Sequence, residues 1–258
     1  MSTPHLKLGV TDLSFHRVTA SIISHVLTDM GFSVERIYAP HQDNFKNLKS
    51  GEIDLLASAW LPSSHGIYKA DVELVMPLIE LGLHYQPYAH WGVPDYIPEH
   101  AVSQISDLLK PDVLGKMQKT IQGINAGAGI TRFSINMMKE YGLSQAGYEF
   151  LTGTEDDCFS AFENAVATHT WCVVPLWKPQ FLHHKHKIRE LADPQGLLGS
   201  VDRAVLLLRD DKQALFSQAQ LDTLDKLHFS NDIIAALDYK VSKERQVLDD
   251  VTRQWLNQ

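Results

Sequence analysis

Cysteine is scarce: the 258 residues hold two, Cys158 and Cys172. Neither stands in a C-x-x-C pair, which excludes a disulfide framework or a cysteine zinc site as the organising feature. Both lie among apolar residues and are expected to be buried as small hydrophobes. Long apolar runs are absent too, and no stretch reaches the roughly 18 residues a spanning helix needs. Positive charge is in deficit, with 23 Lys plus Arg against 31 Asp plus Glu and a net charge of −8. A nucleic-acid partner is therefore not expected, since a phosphate backbone requires a concentrated basic face. The opening Met1-Ser-Thr-Pro-His-Leu-Lys-Leu-Gly-Val10 has no basic region or apolar signal core. The expected location is the cytoplasm, or the periplasm or cell surface if a leader was removed. H-E-x-x-H, G-x-S-x-G and paired carboxylates are missing as well. No catalytic residue, metal or cofactor is expected, and the chain is read as a binder rather than an enzyme. His183-His184-Lys185-His186 resembles a metal cluster, but Lys185 and Lys187 oppose a cation, and a solvated loop is expected there.

What is present is an ordinary globular composition, 44% apolar and 21% charged, enough for a substantial core. Leu6 to Val10 has the pattern of a buried strand. Phe15, Val18, Ile22, Ile23, Val26, Leu27 and Met30 then recur at helical spacing until Gly31 ends the run. A strand over 33–38, a short helix over 44–48 and a third strand entered from Gly51 follow. Strand–helix–strand–helix–strand at this spacing predicts parallel pairing. A second α/β region begins near His90. It has strands over 119–124, 148–152 and 171–175 and helices over 130–141 and 155–168. Residues 74–93, broken by Pro77, Gly82 and Pro87, form a candidate crossing between lobes. Residues 201–208 are a return strand, and C-terminal helices including 241–256 pack on the first lobe. The expected organisation is α/β and two-lobed, with 1–86 plus 203–258 as one lobe and 87–202 inserted as the other.

Four segments can carry chemistry. Ser58-Ala-Trp60-Leu-Pro62-Ser-Ser-His65 leaves a strand end, which in open α/β sheets borders the ligand crevice. Trp60 either caps the core or offers its negative ring face to a cation. Trp171-Cys-Val-Val-Pro-Leu-Trp177-Lys-Pro179 repeats the W-x-P turn in the second region. Asn125-Ala-Gly127-Ala128-Gly129 opens a helix. It is either a tight turn or a place where backbone N–H groups meet an anion such as a carboxylate. Tyr85-Gln-Pro-Tyr88-Ala-His-Trp91 places aromatics at the crossing, where they pack structurally or reach the cleft. Asp12, after the first strand, either caps the next helix or meets a cation or hydroxyl.

Taken in order, these residues resemble the substrate-binding proteins of glycine betaine, choline and proline ABC importers. The resemblance runs through Gly51-Glu-Ile-Asp-Leu, Ala59-Trp60-Leu-Pro62, Gly123-Ile-Asn-Ala-Gly-Ala-Gly-Ile130, Tyr141-Gly-Leu143, Trp171 to Pro179 and Arg189-Glu-Leu-Ala-Asp193-Pro-Gln-Gly196. It implies a periplasmic-binding-protein-like (type II) fold with two inter-lobe crossings, closing on a small quaternary-ammonium ligand inside an aromatic cage. It further implies an ABC permease as partner. Carried over residue by residue, the cage tryptophans match Trp60 and Trp177, the crossing aromatic matches Tyr88 or Trp91, and the acidic residue matches Asp12. Two positions depart from the pattern. Val10 stands where some members carry a cage tryptophan, with Phe15 as a substitute wall, and Gln180 stands where members frequently carry histidine. Two other jobs on the same scaffold are a cytoplasmic ligand sensor or carrier and an enzyme. The enzyme would need a convergent acid, base or nucleophile.

Overall fold

A computed structural model describes residues 3–258. The chain divides into two compact units, one made of the chain up to Pro87 with Pro179–His184 and Asp202–Gln258, the other of Tyr88–Lys178 and Lys185–Val201. In the first unit β1 (His5–Thr11), α1 (Ser14–Asp29), β2 (Ser33–Ala39), α2 (His41–Ser50), β3 (Leu55–Leu61), α3 (Gly66–Glu73) and β4 (Leu78–Tyr85) follow one another. The second unit contributes β5 (Tyr88–Pro94), α4 (Pro111–Leu114), β6 (Thr120–Gln122), α5 (Gly129–Glu140), β7 (Glu149–Leu151), α6 (Glu155–Thr168) and β8 (Val174–Lys178). After α7 (Leu182–Lys185) and β9 (Ile188–Glu190), the chain ends in β10 (Arg203–Arg209), α8 (Gln218–Lys226), α9 (Asn231–Ser242) and α10 (Leu248–Leu256).

Among the described residues the first unit holds a five-stranded sheet of order β2-β1-β3-β10-β4. β1 pairs parallel with β2 and β3, as the alternating elements predict, while β10 runs antiparallel between β3 and β4. All seven residues of β3 are buried, so both faces of the sheet are covered, as a doubly packed sheet requires. One core joins Leu6, Leu8 and Val10 of β1 to Ala20, Ile23 and Leu27 of α1. The other sets Phe45 and Leu48 of α2 against Leu56, Ala59 and Leu61 of β3. α2 stops where Gly51 takes φ +85°, its N–H closing on the Asn47 carbonyl, a left-handed end that glycine adopts without steric penalty. In the second unit β5 lies between β8 and β9, antiparallel to both, and β6 pairs parallel with β7.

Three expectations are corrected. The strand placed at 171–175 runs instead over Val174–Lys178, because its antiparallel register with β5 extends to Tyr88↔Lys178; Trp171 makes only an isolated bridge to Met117. The single helix over 241–256 is two, since Arg245 takes φ +59° between α9 and α10. The insertion drawn as 87–202 is interrupted, because Pro179–His184 packs with the first unit. There the Phe181 N–H donates to the Asp238 carboxylate at 3.1 Å, and the His184 ring lies 5.0 Å from that of Tyr239. Cys158 and Cys172 are buried free thiols, and burial pushes Cys172 up to about 12. No described helix is long and apolar enough to cross a membrane.

Candidate functional site

Trp60 is the next-to-last residue of β3, beside Ala204 of β10. Three separate partners fix it. Its backbone N–H donates to His65 Nδ1 at 2.9 Å, and its carbonyl accepts the His65 N–H at 2.8 Å. An accepting Nδ1 leaves the imidazole proton on Nε2. Its indole Nε1–H donates to Ser58 Oγ at 3.2 Å and to the Tyr85 hydroxyl at 3.1 Å. The loop after it contains a cis Leu61–Pro62 bond and is tied down by Asp202. That carboxylate accepts the Ser63 N–H at 2.6 Å, the Ser64 N–H at 3.0 Å and the Ser64 hydroxyl at 2.7 Å.

Rings surround the indole. Phe15 and His16 each lie 5.4 Å from it, His65 stacks at 6.2 Å, and Tyr85 meets it edge-on at 6.4 Å. His41 joins the group 5.2 Å from His65 and 6.1 Å from His16. Burial, with a smaller contribution from His41, holds the His16 imidazole well below its ordinary range, so it is neutral at neutral pH. The first unit thus holds the tryptophan within a largely buried shell of rings, and a desolvated π face attracts a cation more strongly than an exposed one. Phe15 is 1% exposed and is a core ring supporting Trp60. Val10 is sealed in the core shared with α1.

Asp12 goes elsewhere. Its Oδ1 accepts from Arg17 Nε at 2.8 Å and Nη2 at 2.5 Å, with both side chains about half exposed. It does not cap α1 either, since the capping position falls on Leu13.

In the second unit Trp177 is 2% exposed near the end of β8, with Phe159 at 5.6 Å. Trp91, fully buried in β5, donates its indole N–H to Ser134 Oγ at 2.9 Å and serves as a core residue. Tyr88 is half-buried. Its hydroxyl donates to Glu190 at 2.9 Å, and Lys178, paired with the same carboxylate at 2.9 Å, lies 5.6 Å from its ring centroid. Asn125 to Ala128 is a turn in which the Ala128 N–H returns to the Asn125 carbonyl at 3.2 Å, so the tight-turn reading holds. α5 then starts at Gly129 with no capping side chain and no acidic residue in its first turn. The anion-favouring reading stands beside it, because the first amides of a helix have no intrahelical partner. Among the described residues no three His, Cys, Asp or Glu side chains converge on a metal position.

Sequence reasoning missed Ser58, Tyr85, His16, His41 and Asp202 as parts of the Trp60 environment. Ser58 and His65 stand in the same W-x-P segment, a local signal. Tyr85 and Asp202 reach Trp60 only through the pairing of β10 between β3 and β4, which no local pattern reveals.

The fold is shared with solved structures. Lactococcal OpuAC, in a closed-liganded conformation with glycine betaine, matches at TM-score 0.85 and 20% identity, over 98% of this chain and 95% of that one. The glycine betaine, L-proline-binding protein ProX of Borrelia burgdorferi matches at TM-score 0.82 and 26% identity, over 97% and 92%. A stretch of 100 residues is 28% identical to the glycine betaine/carnitine transport binding protein GbuC of Listeria monocytogenes serotype 1/2a (strain 10403S). That stretch takes in 39% of this chain and only 33% of the relative's length. Residues 4–258 match the family described as the substrate binding domain of the ABC-type glycine betaine transport system. With nearly the whole chain matched, the protein belongs to this family of ABC-transporter substrate-binding domains.

Proposed function

We propose that the chain captures a small quaternary-ammonium compound, such as glycine betaine or choline, by lobe closure and delivers it to an ABC permease at the periplasmic or cell-surface side of a membrane. The observation that carries this reading is Trp60, a strand-end ring whose backbone and indole N–H groups are each held by a partner. A trimethylammonium group has no N–H to donate, so ring faces bind it better than carboxylates alone. A ring held in place before the ligand arrives loses little freedom on binding. One well-placed, desolvated ring is worth about 2 kcal/mol. Trp177 is the second ring in this reading, with Tyr88 beside it in sequence register (Ala89↔Trp177). The uncapped start of α5, with Asn125, Gly127, Ala128 and Gly129 leading into it, suits a ligand carboxylate. The chain acts as a carrier, with no catalytic step assigned to it.

Titration calorimetry with glycine betaine, choline, carnitine and proline tests the reading. Trp60→Ala and Trp177→Ala are each expected to weaken the best ligand by at least about tenfold, or about 1.4 kcal/mol, with circular dichroism confirming the fold. Unchanged affinity in both variants would overturn the aromatic-cage assignment.

A further inference from the structure

The side-chain alternation of β3 inverts partway along the strand. Leu55 and Ala57 belong to the core shared with α1, whereas Leu56, Ala59 and Leu61 belong to the opposite core against α2. Strict alternation would put residues 56, 58, 60 together and 55, 57, 59, 61 together. The inversion falls at Ser58, which takes φ +59°. The pairing with β10 slips at the same place, between Val205↔Ala59 and Leu207↔Leu56. This is a β-bulge whose left-handed position holds serine rather than the usual glycine. Its effect is to turn Trp60 onto the α1 face, where Phe15 and His16 meet it.

A second irregularity faces it across β10. There the pairing with β4 slips between Ala204↔Tyr85 and Leu206↔Leu81, with Gly82 at φ +85°. Both slips flank the same short stretch of β10, and Ala204 pairs with Trp60 on one side and Tyr85 on the other. They bring the Ser58 and Tyr85 hydroxyls into a mutual hydrogen bond, and both hydroxyls accept the Trp60 indole N–H. Thr19 of α1 hydrogen-bonds the same phenol. A non-glycine residue in this backbone region persists only where its surroundings over-determine it, and such strain gathers at functional sites.

We propose that Ser58 and Tyr85 are positioning residues that set the plane of the Trp60 ring for ligand binding. This inference rests on the reading of Trp60 as a cage wall. Ser58 holds the strand in the conformation that re-aims Trp60, and its hydroxyl with that of Tyr85 fixes rotation of the indole about its side-chain bonds.

The test separates ring positioning from general stability. Ser58→Ala and Ser58→Gly both lack the hydroxyl, but glycine relieves the left-handed backbone and alanine does not. Ser58→Gly is expected to melt about 2 °C or more above Ser58→Ala. Both, with Tyr85→Phe, are nonetheless expected to bind glycine betaine about 3- to 10-fold more weakly than the wild type. Loss of affinity in Ser58→Ala with wild-type affinity in Ser58→Gly would mean that affinity follows stability, and would overturn the proposal. So would wild-type affinity in both Ser58→Gly and Tyr85→Phe. The Trp60 indole N–H resonance, assigned by its loss in Trp60→Phe, is read without ligand. It is expected to shift and to exchange faster in Ser58→Gly and Tyr85→Phe, and an unmoved resonance overturns the positioning role. If wild type binds no quaternary ammonium, the functional reading fails while the indole signal still decides whether the two hydroxyls fix the ring.

Discussion

At the scale of single residues, buried ionisable groups in the first unit pull stability in opposite directions along the pH axis. Burial pushes the His84 imidazole down from 6.5 to about 4. A lowered histidine contributes stability that is complete above 6.5 and is lost as pH falls toward 4, because the unfolded chain takes up the proton first. The difference amounts to about 3 kcal/mol. Asp238 behaves in the opposite sense. Burial raises its carboxyl from 3.8 to about 6, against hydrogen bonds from Ser242, Ser14 and Phe181. Its stabilising contribution is complete below 3.8 and disappears as pH rises through about 6. Melting temperature measured from pH 4 to 8 is expected to fall less on the acid side in His84→Leu, and to rise relative to wild type at pH 8 in Asp238→Asn. Parallel curves for wild type and both variants would remove these two groups from the balance. Neither environment was legible in the sequence, since a histidine's burial depends on strands and helices far away along the chain. The place of Trp60 at the end of a buried strand was legible, because a W-x-P turn there is a local pattern. The partners of Asp12 and Trp91 were not legible: Arg17 donates to the Asp12 carboxylate, and Ser134 accepts the Trp91 indole N–H.

Elements divide by whether their own sequence or distant partners define them. α6 begins with a capping box in which Thr154 and Asp157 satisfy each other's backbone N–H groups, and its span was legible from the sequence. Thr154→Ala is expected to cost about 1 kcal/mol, which lowers the melting temperature by about 2–4 °C; an unchanged transition in calorimetry would show that packing alone holds the helix. α1 is the opposite case. Leu13 at its capping position offers no side-chain hydrogen bond, and the helix rests on the buried stripe from Phe15 to Leu27 that its periodicity exposed. The break between α9 and α10 was hidden, since Arg245 in a left-handed conformation interrupts an otherwise continuous amphipathic pattern. The bulge at Ser58 was hidden for the same reason, because serine gives no warning of a positive φ.

Across the whole molecule, the first unit is assembled from stretches far apart in the chain, and β10 from the last of them lies between β3 and β4. The α/β class and the two-unit division follow from alternating local patterns and were legible. The six-residue return of Pro179–His184 to the first unit depends on contacts with α9 and was not. A fragment ending at residue 201 lacks β10, and the facing edges of β3 and β4 lose their hydrogen-bond partner. Amide exchange in that fragment is expected to show β3 and β4 unprotected, and retained protection would show that the N-terminal strands close without β10.

The central place of β10 also sets a timetable for the nascent chain. At about 5–20 residues per second, roughly 6–25 s separate synthesis of the end of β4 from that of the end of β10. Through that interval β3 and β4 have been translated while the strand that will join them has not. Open strand edges of this kind invite pairing with other chains. Residues 88–178, most of the second unit, are translated during the wait, so the inserted unit can begin to mature before the unit whose stretches flank it is complete.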